Sequence, residues 1–273
     1  MRVLVSVDME GISGVTGRDD VSPGTPAYER FRRRMTAEAN AAVRGAFAGG
    51  ADSVVVNDSH DGMRNILYEE LHPDAELISG FNKPLCMVEG AEGSGAAIFV
   101  GYHAWAGTDS AVLDHTIAGR AVHNWWLNGE RVGESQINAA ILGHYGVPVV
   151  LVCGDDKLAG QIERTLPQAR RVIVKYAINQ LTARSLPSQA VLEAIERESQ
   201  LAVAGSAGVE PVRTSGPQTM RIEFKTAGQA WGAARWPTVA RVDDRTCEVT
   251  GKDIVEVWRM ADVMVSLAAA AEH

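Results

Sequence analysis

Four short, unbroken apolar runs, Val3–Val7, Ser53–Val56, Ala97–Gly101 and Pro148–Cys153, constrain this chain more than any other feature. A run that is apolar on both faces yet too short for a helix reads as a strand buried on both sides, the condition of a central strand in a parallel sheet. Between the first two runs, Tyr28, Phe31, Met35, Ala39, Val43 and Phe47 recur at helical spacing across Ala27–Ala48, and Gly49-Gly50 supplies a stop. A second helix is expected over Glu134–Tyr145; it ends at Gly146-Val147-Pro148 and feeds the fourth run. Strands alternating with helices predict an α/β fold, a three-layer α/β/α arrangement with a mainly parallel central sheet.

Beyond Asp156 the pattern is mixed. Helices are expected near Lys157–Leu166 and Ser188–Ala204, with a strand near Arg171–Tyr176 between them. The stretch Gly205–Pro217 is rich in Gly, Ser and Pro and reads as a linker or long loop. After it come short strands at Met220–Phe224, Thr238–Val242 and Thr246–Thr250, then a terminal helix capped by Asp253. The expected division is a larger α/β domain over residues 1–204 and a smaller C-terminal α+β portion over 205–273, packed on it.

Composition removes several function classes. A net charge of −8 with no basic stripe lacks the electrostatic footprint of nucleic-acid binding. No apolar run reaches the roughly 18 residues of a membrane-spanning helix. Cys86, Cys153 and Cys247 are odd in number and widely spaced, so neither a disulfide framework nor a zinc ribbon is indicated. The chain enters the strand Arg2–Val7 without a basic or cleavable leader, which makes the cytoplasm the expected compartment.

Each of the four strands ends in groups able to bind a metal or a proton. The first delivers Asp8 and Glu10, the second Asn57-Asp58-Ser59-His60, the third Tyr102-His103 and the fourth Asp155-Asp156. In an open α/β sheet, ligands bind beyond the carboxyl ends of the strands, so these ends converge on one crevice. Strand alternation would place Asp8 and Glu10 on one side, facing a single cation, although acids also close strands as turn formers. His60 and His103, each alone, could be structural residues; beside two acids at one sheet edge they read as ligands. Glu134 opens a helix, where it complements the dipole, and joins the site only if that helix start faces the crevice. Asp155 reads as a turn former, Asp58 is either a turn former or a support for a ligand imidazole, and Asn138 is a candidate support for the site or substrate. Trp125, Trp126, Trp231 and Trp236 offer aromatic surface for cores or interfaces, and His123 beside the first two belongs to such a packed segment rather than to the chemistry.

The blocks SVDMEGISG, VNDSH, GYHA, Leu113-Asp114-His115-Thr116 and VGE followed by Asn138-Ala139 resemble, in order, the signature blocks of the D-aminopeptidase family of zinc peptidases. The likeness runs across residues 3–156 and more weakly beyond. It implies a zinc-dependent aminopeptidase acting on short peptides or amino-acid amides, with D-residue specificity, two Zn2+ per subunit and a homodecameric assembly. It implies that Asp8 bridges both ions, that Glu10 and His103 complete one and His60 and Glu134 the other, and that His115 is catalytic. No further cofactor is implied.

The charges are consistent with that scheme. Three carboxylates against two divalent ions leave about +1, which a hydroxide would neutralise, and such a site lowers the pKa of bound water toward about 7. His115 is then available to move protons or to stabilise an oxyanion, the nucleophile being already supplied. Two other classes compete. A binuclear metallophosphoesterase could use a similar ligand set, but no GxxxxGK[ST] phosphate loop occurs. A non-catalytic peptide-binding protein would not need a full set of ligands.

Overall fold

The first strand, β1 (Arg2–Val7), is buried on both faces, as its unbroken apolar run requires. Val3, Val5 and Val7 enter one apolar core and Leu4 enters another on the opposite face. The computed structural model describes residues 1–271, so the last two residues of the expected C-terminal portion lie outside the described residues. In chain order the remaining strands are β2 (Ser53–Asp58), β3 (Ala75–Ile78), β4 (Ala96–Tyr102), β5 (Val122–Leu127), β6 (Glu130–Arg131), β7 (Val149–Asp155), β8 (Arg170–Asn179), β9 (Thr182–Ser185), β10 (Gln218–Phe224), β11 (Ala240–Arg241) and β12 (Thr246–Gly251). The helices are α1 (Arg18–Val21), α2 (Pro26–Ala48), α3 (Glu134–His144), α4 (Asp156–Thr165), α5 (Ser188–Ala204), α6 (Ala227–Ala233) and α7 (Ile254–Ala270).

The larger sheet has the order β3-β2-β1-β4-β7-β8-β9 and is parallel throughout except for the β8–β9 hairpin. The chain leaves β1 in one direction, through β2 to β3, and resumes on its other side with β4. The switch point therefore lies between β1 and β4, where a ligand crevice is expected. Phe31 and Met35 of α2 and Val191 and Ile195 of α5 pack against the Val3 face. Ile137 and Ile141 of α3, Val257 and Trp258 of α7, and the second sheet cover the Leu4 face. The α/β architecture expected from the four runs is thus the architecture observed.

The second sheet, order β11-β12-β10-β5-β6, is antiparallel. Its strands β5 and β6 precede residue 204 and its other three follow it, so the C-terminal strands are completed by a hairpin inserted between β4 and α3. Trp125 on β5 stacks on Trp258 of α7 with ring centroids 6.2 Å apart, which accounts for one tryptophan of the segment as core; Trp231 is exposed instead.

Two glycines let the ends of β1 and β4 close on each other. Gly11 N–H donates to the Gly101 carbonyl at 2.7 Å. A Cβ on Gly11 would lie 1.9 Å from the Tyr102 carbonyl oxygen, and one on Gly101, whose φ is +72°, would lie 2.1 Å from that of Asp8. Only glycine permits this approach, and it brings the segment bearing Asp8 against the segment bearing His103.

Candidate metal centre

Asp8 directly follows β1, and its amide donates to Val100 on β4. The strand stops at Val7, so Asp8 and Glu10 meet through a turn, closed by the Ile12 amide on the Met9 carbonyl, rather than through strand alternation. Both carboxylates are buried, and both reach one imidazole: His60 Nδ1 lies 3.3 Å from Asp8 Oδ1 and 3.0 Å from Glu10 Oε2. On the other side of Asp8, His103 Nε2 lies 3.4 Å from Asp8 Oδ2 and 3.1 Å from Glu134 Oε2. The start of α3 therefore does face the crevice. Glu134 is buried, and its Oε1 accepts the Ile117 amide at 2.7 Å. His115 stacks on His103 with centroids 4.2 Å apart, and its Nε2 sits 3.9 Å from Glu10 and 3.8 Å from Glu134. All six residues singled out by the sequence converge.

The protons on the three rings follow from backbone partners. His60 Nε2 donates to the Val21 carbonyl at 2.8 Å, His103 Nδ1 to Ala104 at 3.0 Å and His115 Nδ1 to Leu113 at 2.9 Å. A carbonyl can only accept, so each ring spends its N–H there and turns its other nitrogen to the carboxylates. That leaves lone pairs facing lone pairs unless a cation lies between them. Asp8 Oδ2, Glu10 Oε2 and His103 Nε2 are buried without a hydrogen-bond partner, their close approaches notwithstanding. Asp8, Glu10 and His103 offer ligand atoms within 4.8 Å of one another, as do His103, His115 and Glu134. Carboxylate oxygen with imidazole nitrogen is a usual zinc donor set, and the residues present fit that ion.

Without an ion, protons settle in the cluster. Burial, reinforced by the neighbouring Glu10 charge, raises the Asp8 carboxyl to about 7. Burial also works against ionised Glu10 and Glu134, but His60 and His103 respectively overcome it and hold both below the ordinary carboxylate range. Burial opposes charge on His60 and His103 too, yet the Glu10 and Glu134 carboxylates keep these rings well above the usual imidazole value.

The surroundings hold the ligands rather than touch the cavity between them. Asp58 accepts from the Asn65 and Ile66 amides and from Asn65 Nδ2, which also bonds the His60 carbonyl at 2.6 Å; it therefore braces the loop after His60 and not the imidazole. Asp155 caps α4 through the Leu158 amide, and its second oxygen accepts Val112 N–H at 3.2 Å in the loop leading to His115. Asn138 turns to Tyr102 and Met87 in the core behind the site.

Lys175 was not anticipated. Its ammonium is fully buried beneath the turn that carries Glu10, and burial lowers its pKa only to about 8, so it is charged at neutral pH. Val172 and Val174 point inward, and alternation would send Lys175 outward. A register shift against β7, where Gly154 pairs with Ile173 but Asp155 with Lys175, turns it in. Lys175 lies mid-strand, in a segment that also carries Arg170, Arg171 and Asn179, and the hydrophobic pattern gives no signal of it.

The sequence model of the D-aminopeptidase family, peptidase family M55, matches residues 1–263. The chain belongs to this family. It is an aminopeptidase, a hydrolase of peptide bonds, as the resemblance of the signature blocks implied. A D-aminopeptidase of Bacillus subtilis (strain 168) is 37% identical over 270 residues, covering 98% of each chain. Among solved structures, the zinc-dependent D-aminopeptidase DppA from Bacillus subtilis, a self-compartmentalizing protease, superposes with a TM-score of 0.96 at 36% identity and full coverage of both chains.

Proposed function

We propose that this D-aminopeptidase-family chain removes the N-terminal residue of short peptides or amino-acid amides, with preference for D residues, using two zinc ions. Asp8 is the bridging carboxylate, Glu10 and His103 serve one ion, and His60 and Glu134 serve the other. The closest contacts of the free side chains pair His60 with Glu10 and His103 with Glu134, crosswise to that partition. Each pair is an opposite-charge contact that an ion would replace. One observation carries the reading: three imidazoles, each with one nitrogen committed to a backbone carbonyl, turn their other nitrogen toward three buried carboxylates, an array of donor atoms that a metal ion can take up once the protons leave. Bound zinc supplies Lewis acidity toward the scissile carbonyl and a water of lowered pKa.

The protein's own groups supply the rest. His115 is about a quarter exposed while its neighbours are buried, so substrate arrives past it. Its Nε2, free of a backbone partner and within 4 Å of Glu10 and Glu134, takes and returns the proton that must reach the leaving amine. A carboxylate of the cluster receives the substrate's N-terminal ammonium, which favours cleavage one residue from the end. We further infer a cytoplasmic homodecamer with its sites facing an enclosed space; the relative's self-compartmentalizing character supports assembly. Among the described residues no helix is long and apolar enough to cross a membrane.

Metal analysis of the purified protein, combined with a matched panel of D- and L-aminoacyl anilides, tests this reading. Two zinc ions per chain and chelator-sensitive turnover of the D series are expected. Turnover of phosphate esters without amides, or binding of peptides without hydrolysis, would overturn it.

A further inference from the structure

The turn between β1 and α1 presents three backbone carbonyls to the protein interior. Lys175 Nζ meets all of them, at 2.5 Å from Glu10 O, 3.0 Å from Ile12 O and 2.8 Å from Val15 O. An ammonium has three donors, and one turn consumes all three. Among the described residues no carboxylate lies within ion-pair distance of Lys175, so the ammonium is not held as half of a salt bridge. The shortest of the three bonds falls on Glu10 itself.

The opposite side of the turn is also tied. Glu38 accepts both the Ser13 amide and its hydroxyl, and Arg34 closes that cluster from above. Carbonyls pulled toward Lys175 and an amide pulled toward Glu38 leave the turn one conformation. That conformation is the one placing the Glu10 carboxylate against His60.

We propose that Lys175 is a positioning residue for the hydrolytic centre: by gripping the Glu10 carbonyl from beneath, it fixes the carboxylate of Glu10 over one metal position. The proposal rests on Glu10 being a ligand of one ion. Removing the charge leaves three buried carbonyls converging on a gap, and the turn must rotate to satisfy them. The Glu10 side chain rotates with it. Supports of this kind change metal affinity or activity by about 10- to 100-fold.

The test uses the zinc-loaded, full-length protein. Lys175→Met, Lys175→Gln, Lys175→Arg and Glu10→Gln are compared by bound zinc under graded chelator, by kcat and KM on a D-aminoacyl anilide, and by circular dichroism. Lys175→Met is expected to stay folded, to hold one of its two ions about 10- to 100-fold more weakly, and to lose kcat by a similar factor with KM within about threefold. Lys175→Arg, which keeps the charge and its donors, should recover most of both. Unchanged zinc retention and kcat in Lys175→Met overturn the proposal. So does loss of folding in both Lys175→Met and Lys175→Gln, because the ammonium would then support the fold at large. If Glu10→Gln itself keeps both ions at full affinity, the ligand reading falls, and the proposal that rests on it falls with it.

Discussion

At the scale of single residues, the site is decided by where three ring protons go. Val21, Ala104 and Leu113 each present a carbonyl to one imidazole, and three otherwise ambiguous side chains become oriented acceptors. His115 differs from the other two in being partly exposed and about 4 Å from its nearest carboxylates, a distance suited to a mobile proton carrier. Replacing His115 with Ala should lower kcat by about 100- to 10,000-fold while zinc content stays at the parent value, as metal analysis beside steady-state kinetics will show. Loss of zinc together with activity would make His115 a ligand, and the assignment given it here would fall. Asp8, Glu10, His60 and His103 were legible because chemistry at the ends of apolar strands has few structural uses, whereas Glu134, at a helix start, and His115, in a loop, were placed in the site only by the resemblance of the signature blocks. Lys175 was not, because a one-residue slip in pairing reverses which side chains face inward and leaves no mark in the hydrophobic pattern.

At the scale of elements, the loop from Ala104 to Ala121 is the least regular part of the site and the most heavily tied. Ser110, Leu113 and Ile117 hold positive φ of 54°, 49° and 59°, a conformation that side chains disfavour and that neighbouring contacts must impose. Asp114 accepts the Gly107 amide and a Gln180 side-chain donor, Asp155 holds Val112, and Glu134 holds Ile117. The carboxylate of Asp155 thus joins α4 to the catalytic loop. Substituting Asp155 with Ala should cost about 1–2 kcal/mol in urea unfolding through the lost cap, and should also lower kcat several-fold through the freed Val112 amide. A variant with the stability loss and full kcat would show that the loop holds itself. Sequence pattern located α2, α5 and α7 to within a residue because each carries a helical apolar stripe and a readable boundary. It passed over β5, whose tryptophans suit a core or an interface equally, β6, which has only two residues, and β3, which is short and only partly buried. The loop's geometry was illegible for a different reason, since it is set by bonds to residues up to 109 positions away.

At the scale of the whole molecule, the metal centre is a store of charge whose sign depends on what fills it. In the metal-free protein Asp8 titrates at about 7, above its unfolded value of 3.8, and His60 and His103 are raised above 6.5. Groups raised in this direction contribute stability that is present at low pH and lost as pH rises through their folded values. Glu10 and Glu134, lowered, are already ionised there and add no slope. Chelated protein should therefore lose thermal stability as pH is raised from about 6 to 9. Zinc, which binds the deprotonated ligands, should bind more tightly over the same range. Unfolding midpoints measured with and without chelator should diverge with rising pH; parallel profiles would mean that the cluster does not exchange protons for metal.

The hairpin formed by β5 and β6 carries a consequence for how the enzyme is made. Every proposed ligand has been synthesised once Glu134 is added, but that glutamate hangs on a hairpin whose sheet partner, β10, ends only at Phe224. At about 5–20 residues per second, a ribosome takes roughly 5–20 s to cover the interval. During that time the nascent chain exposes an acidic, histidine-bearing ligand set that is complete but unassembled. Zinc capture then becomes one of the last events of biosynthesis, and a chain truncated before β10 should emerge as metal-poor as it is unfolded.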